Sequence, residues 1–189
     1  MIVAMMLFTF MTACSSDQQE AAKETEEMGM ADGMEGMGEM EGMDMAQQGN
    51  EAAAVNTEGE PAFVKAYMDI KNALVNDNYE QVKQAASDLQ EGLESSKLSE
   101  GQRSQLMESA GQLAEAQDIM AQRQAFAQLS RQLYQAMKDM KVTDKPLYWQ
   151  HCPMALDGQG ANWLSFEEQV RNPFMGQKMP GCGSVEETI

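Results

Sequence analysis

The chain has 189 residues, of which 30 are acidic and 13 basic, a formal net charge of −17. That length allows one domain plus a tail. The charge argues against nucleic acid, whose phosphates it repels, and against an anionic membrane surface as the main partner, and it permits a cationic ligand.

The N-terminus reads as an export signal. Ile2 to Ala13 is almost wholly apolar, as in a signal-peptide core, and too short to span a bilayer. Met11-Thr12-Ala13-Cys14 resembles a bacterial lipobox, although Met11 is more often Leu and no Lys or Arg precedes the apolar run. The resemblance implies a lipoprotein-type signal over residues 1–14, cleaved before Cys14 so that the lipidated Cys14 becomes the new N-terminus. The mature chain would then be exported, periplasmic or anchored at an outer membrane, and would meet the membrane only through its lipid. The competing reading is an ordinary cleaved signal with Cys14 incidental.

Residues 15–60 hold 13 Asp or Glu and one Lys, and so carry −12 of the charge. They lack an aromatic residue and any hydrophobic period, which predicts a disordered tail. The chain has 19 methionines, far above ordinary usage. Seven of them fall within this tail: Met28, Met30, Met34, Met37, Met40, Met43 and Met45, spaced by glycine and acid. A thioether is a soft neutral donor that suits Cu(I) or Ag(I) and suits Zn, Mg or Ca poorly. Glycine lets the chain wrap an ion, and the carboxylates concentrate cations nearby. The tail resembles the Met-rich segments of periplasmic copper and silver resistance proteins. Against that stand a low-complexity acidic spacer and a Met-striped helix, the latter opposed by glycines at 29, 33, 36, 38 and 42.

From Pro61 a helical period begins. Phe63, Tyr67, Ile70 and Leu74 form one apolar stripe, and Tyr79, Val82, Ala86, Leu89 and Leu93 a second. Pro61 suits a first helical turn, and Asn76-Asp77-Asn78 a turn with a cap for the second helix. Ser99 starts a helix-rich run to about Met140 whose apolar phase slips between Leu113 and Phe126, which predicts a break near Gln117-Asp118. The expected fold is all-α: an up-and-down bundle of about four helices spanning residues 61–189 with a looped C-terminal segment. Met68, Met107, Met120, Met137 and Met140 read as filler rather than ligands.

The C-terminal segment carries the chemistry. A short strand is expected at Leu147–Gln150, and a capping box predicts a helix over Ser165–Val170 that Asn172-Pro173 ends. Soft donors gather at its two ends: His151, Cys152 and Met154, then Met175, Met179 and Cys182. If the loop folds back, thiolate, thioether and imidazole together favour Cu(I), with Ag(I) close behind. Three readings compete with that one. The first is a structural Cys152–Cys182 disulfide in an oxidising compartment. The second is zinc, disfavoured by only three good donors and no CxxC pair. The third is a Cys-His enzyme, disfavoured because adjacent residues rarely direct reactive atoms at each other and His151 is the single histidine. No convincing catalytic set is present, so a non-enzymatic role is expected.

Several elements together resemble a bacterial domain of unknown function. They are His151-Cys152-Pro153-Met154-Ala155, Gly160-Ala161-Asn162-Trp163-Leu164-Ser165, Asn172-Pro173-Phe174 with Gly176, Met179 with Cys182-Gly183, and the run Gln122-Arg123-Gln124-Ala125-Phe126 through Leu129-Ser130. That domain occurs alone as an exported protein or lipoprotein, and fused to adaptor subunits of copper/silver-type heavy-metal efflux pumps. The resemblance covers roughly residues 62–187 and implies a helical domain associated with copper handling. Its pattern carries Tyr where this chain has Met175. Trp163 and Asn172 are expected to pack and shape the loop. The expected function is Cu(I) or Ag(I) sequestration, or delivery to an efflux adaptor or pump. The alternative is an anchored module that docks on such an adaptor, with its cysteines in a disulfide.

Overall fold

A computed structural model describes residues 56–140 and 142–189. Residues 1–14, expected to form an export signal with Cys14, and the methionines Met28, Met30, Met34, Met37, Met40, Met43 and Met45 lie outside these described residues. Four helices come first: α1 (Ala62–Val75), α2 (Tyr79–Glu94), α3 (Glu100–Glu115) and α4 (Ile119–Asp139). Three strands follow: β1 (Tyr148–Cys152), β2 (Ala161–Ser165) and β3 (Ser184–Thr188).

Local chemistry sets the helix ends. Pro61 is the N-cap of α1, one position before the first turn expected for it. Asn78 caps α2 by accepting from Gln81 N at 3.1 Å, with Asp77 turned into the left-handed region at φ 55°. Ser99 and Gln102 form a reciprocal capping box at the start of α3. Asp118 accepts from Ala121 N at 2.8 Å and starts α4, where the phase slip placed the break. Consecutive helices pack on one another, giving the up-and-down order. At Gly92 the backbones of α1 and α2 come so close that a Cβ would lie 2.6 Å from Phe63 N. Met68 and Met137 are core residues, and Met107 and Met140 pack against the core. Met120 is exposed.

The C-terminal segment is more ordered than the expected loop, so the fold is not all-α. It forms a three-stranded antiparallel sheet in the order β2-β1-β3. The strand expected at Leu147–Gln150 is real but runs on to Cys152. Pairing also reaches back to Leu147, which exchanges hydrogen bonds with Ile189 at 2.9 and 2.8 Å. The expected helix at Ser165–Val170 is absent. Ser165 ends β2, and its hydroxyl accepts from Glu167 N at 3.0 Å in a local turn. Gln150, fully buried, donates to the carbonyls of Glu167 and Glu168 at 2.8 and 3.2 Å.

An aromatic chain ties the sheet to the bundle. Trp163 meets Phe174, Phe174 meets Phe126 and Phe126 stacks on Tyr67, with centroids 5.8, 5.7 and 5.2 Å apart. The buried Tyr67 hydroxyl bonds Ser130 Oγ at 2.8 Å and accepts from Leu164 N at 3.0 Å. Lys71, at 0 % exposure on α1, reaches Glu167 Oε2 at 3.4 Å. Burial lowers its pKa, and the Glu167 carboxylate opposes that shift.

Candidate metal centre

The structure brings the two cysteines of the C-terminal segment together. Cys152 ends β1 inside the core, and Cys182, 30 positions further on, returns to it with Sγ–Sγ at 2.9 Å. Both are free thiols. The Cys182 thiol is pushed up from its ordinary value by its hydrogen bond to Cys152, then by burial, then by charge repulsion from Cys152.

A buried asparagine holds the returning loop. Asn172 N donates to Pro180 O at 2.8 Å, and Asn172 Nδ2 donates to Cys182 O at 2.6 Å. Its Oδ1 accepts from Phe174 N and Met175 N at 2.8 and 3.0 Å. One side chain thus ties both ends of the 172–182 excursion, the loop-shaping role expected for Asn172. Trp163 is fully buried beside Phe174, in the packing role expected for it. Gly183, at φ 134°, lets the chain pass where a Cβ would stand 2.6 Å from His151 O.

A second clasp comes from the bundle. Arg123 donates from Nε to Pro173 O at 2.9 Å and from Nη2 to Leu74 O at 3.3 Å, and also pairs with Asp77. Asp77 accepts from Gln177 N at 3.0 Å. These two residues fix residues 173–177 against the α1–α2 turn. Sequence reasoning read Asp77 only as a turn residue and did not single out Arg123. The available signal was a charge on an apolar stripe: Arg123 falls between Ile119 and Phe126 at helical steps of four and three.

The other donors stand elsewhere. Successive strand residues face opposite sides of a sheet, so His151 and Cys152 point apart. The His151 ring shares the face of its cross-strand partner Asn162, with Nδ1 3.0 Å from Asn162 Oδ1. Asn162 Nδ2 donates to Glu186 Oε2 at 2.9 Å, which leaves its Oδ1 as the acceptor and assigns the proton to His151 Nδ1. Gly160 borders the ring; a Cβ there would lie 3.0 Å from His151 Cε1. Met154 and Met179 lie on the surface, 54 % and 37 % exposed, and Met175 is half-buried against the core. Cys182 N bonds Met179 O at 3.2 Å, so Met179 is close to the pair along the chain.

Chemically, the pair is a soft dithiol. It fits a soft monovalent ion, which needs few ligands, better than a hard cation. For zinc, thiolate bonds of about 2.3 Å in tetrahedral geometry would set two sulfurs roughly 3.8 Å apart, and an ion held by fewer ligands would set them wider. The 2.9 Å gap would have to widen by at least about 1 Å to admit either. Among the described residues no three His, Cys, Asp or Glu side chains gather to hold a metal ion, and no helix is long and apolar enough to cross a membrane.

No curated protein and no solved structure matches the chain at a significant level. Residues 63–145, which span α1 to α4 and stop short of β1, match the model of a family described as "Protein of unknown function (DUF3347)".

Proposed function

We propose that this protein captures a soft monovalent metal ion, Cu(I) or by the same chemistry Ag(I), outside the cytoplasm, and sequesters it or passes it to a heavy-metal efflux adaptor or pump. It acts by binding, not as an enzyme. The observation that carries the reading is the convergence of Cys152 and Cys182, 30 positions apart in sequence, to 2.9 Å. Exposed thioethers support it. Among the described residues the exposed large hydrophobic side chains are Met120, Met154 and Met179. The tail methionines Met28 to Met45 add weak, multiple capture sites. Lipidation at Cys14 would hold the chain at a membrane. The efflux partner rests on the resemblance of the His-Cys-Pro-Met, Gly-Ala-Asn-Trp-Leu-Ser and Cys-Gly elements. Zinc fits less well, because a closed zinc site takes four N, S or O donors. His151 faces away from the thiols, so the centre is best described by Cys152, Cys182 and nearby thioethers, Met179 first.

Anaerobic Cu(I) titration tests this. The mature chain is compared with a Cys152→Ser/Cys182→Ser variant and with a chain lacking the tail. The thiol variant loses the tightest site and the tail deletion loses the weaker ones. Equal uptake by all three ends the reading.

The gap between the sulfurs also favours a second reading. It is closer to disulfide formation than to a shared ion, as an interaction module with a structural disulfide would have it. A thiol count on protein isolated without reductant separates the two. Two thiols that Cu(I) protects support capture, and none with or without metal supports the docking module.

A further inference from the structure

The thiol pair is asymmetric. Cys152 has 0 % exposure, whereas Cys182 is half-buried. Cys182 stands between two exposed glycines, Gly181 and Gly183. A reagent from solvent therefore meets Cys182 first, because Cys152 presents no surface to it. Asn172 meanwhile anchors the Cys182 carbonyl, so the two sulfurs stay within reach of each other.

We propose that Cys152 and Cys182 form a reversible thiol–disulfide exchange site for low-molecular-weight disulfides. Cys182 is the entering thiol, Cys152 the resolving one, and closing the bond switches off metal capture. Only that last consequence rests on the metal-binding reading; the exchange itself does not.

The chemistry balances as follows. The Cys182 thiolate attacks one sulfur of the external disulfide, whose S–S bond breaks, and the departing thiolate takes up the proton that Cys182 lost. Cys152, as thiolate, then attacks Cys182 Sγ in the mixed disulfide and expels a second thiolate, which takes the Cys152 proton. One external disulfide is reduced to two thiols, and the two cysteines are oxidised to one disulfide. The sulfurs need only close from 2.9 Å to a bonded separation of about 2.05 Å, so little of the fold must move. Oxidation consumes both thiolates that would hold the ion, and reduction restores them.

The test uses the full chain bearing Cys14→Ser, metal-free, incubated with glutathione disulfide and followed by intact mass and thiol count. One internal disulfide should form and should reopen with reduced glutathione. Cys152→Ser should stop at a stable glutathione adduct on Cys182. Cys182→Ser should form its adduct at least about tenfold more slowly, because the remaining thiol is buried. Absence of the internal disulfide at equilibrium overturns the proposal, as does equally fast adduct formation by the two single variants. A second arm titrates Cu(I) into the oxidised and reduced forms. Loss of the tightest site on oxidation and its return on reduction support the switch. If exchange proceeds but the reduced pair captures no Cu(I), the metal reading and the switching consequence fail together. If the reduced pair captures Cu(I) but never exchanges, the switch alone fails.

Discussion

The bundle and the sheet region are held together by different physics. In α1 to α4 each helix starts on its own residues, with Asn78, Ser99 and Asp118 as side-chain caps, and buries a stripe of apolar side chains against its neighbour. Its stability is spread over many small contributions. The sheet region has short strands and an irregular stretch from 166 to 183. A few polar side chains bonded to distant backbone hold that stretch: Gln150, Asn172, Asp77 and Arg123. Such groups contribute little each when satisfied and cost much when a partner is removed. The thiol pair sits in this second kind of structure, so its geometry depends on few residues while the bundle supplies a firm base.

Both tryptophans lie in the strands, Trp149 in β1 and Trp163 in β2. Tryptophan fluorescence therefore reports the sheet, while far-UV circular dichroism reports mainly the four helices. The largest expected effect comes from Phe126→Ala, which cuts the aromatic chain at the bundle end. It should lower stability by about 3–5 kcal/mol in denaturant titration. Both probes should shift together, because Phe126 touches Tyr67 of α1 and Phe174 of the loop. If only one probe moves, the aromatic chain through Phe126 does not couple the two regions.

Arg123→Met should separate the probes. The substitution keeps the apolar stem but leaves Pro173 O without its Arg123 donor, while Leu74 O keeps Asp77 N at 3.2 Å, at a cost of about 1–3 kcal/mol. The ion pair adds little, since Asp77 is 43 % exposed. The fluorescence transition should fall further than the dichroism transition. Equal shifts, or a loss under about 0.5 kcal/mol as at an ordinary surface site, would remove Arg123 from its clasp role.

The same contrast explains what was legible in the sequence. The helices could be read because period and cap are local; even the break at Asp118 shows as a slipped phase. The sheet could not. β3 is Ser-Val-Glu-Glu-Thr, with Val185 its single apolar residue, and its partner β1 lies more than 30 positions earlier. Ser165 and Glu168 imitate a helix start, but Ser165 is drawn into β2 by its pairing with Tyr148 of β1, a partner 17 positions earlier that no local pattern announces. At the site, the donor types were visible but not their faces. Extending the strand from Gln150 to Cys152 is what turns His151 and Cys152 to opposite sides. Asn172 announced itself next to Pro173, whereas Asp77 and Arg123 matter only once the loop has returned.

The smallest expected effect concerns how β3 is fastened to α4. Tyr134 hydroxyl bonds Glu187, Lys138 Nζ reaches the same carboxylate at 2.9 Å, and the Tyr134 ring stacks on Trp149 with centroids 4.2 Å apart. The Tyr134 hydrogen bond first, and the Lys138 hydrogen bond second, hold the Glu187 pKa below its ordinary 4.5. A carboxylate with a lowered folded-state pKa stabilises above its unfolded value and loses that contribution as pH falls through the folded one. Glu187→Gln should therefore be slightly less stable than the native chain at pH 7, by fluorescence more than by dichroism. That difference should shrink below about pH 4.5 and vanish once the native carboxylate is protonated. Equal stability of the two chains at pH 7 would mean that the fastening comes from the Tyr134–Trp149 stack and not from the Glu187 charge, and that β3 adheres to the bundle by the same apolar physics that holds the helices.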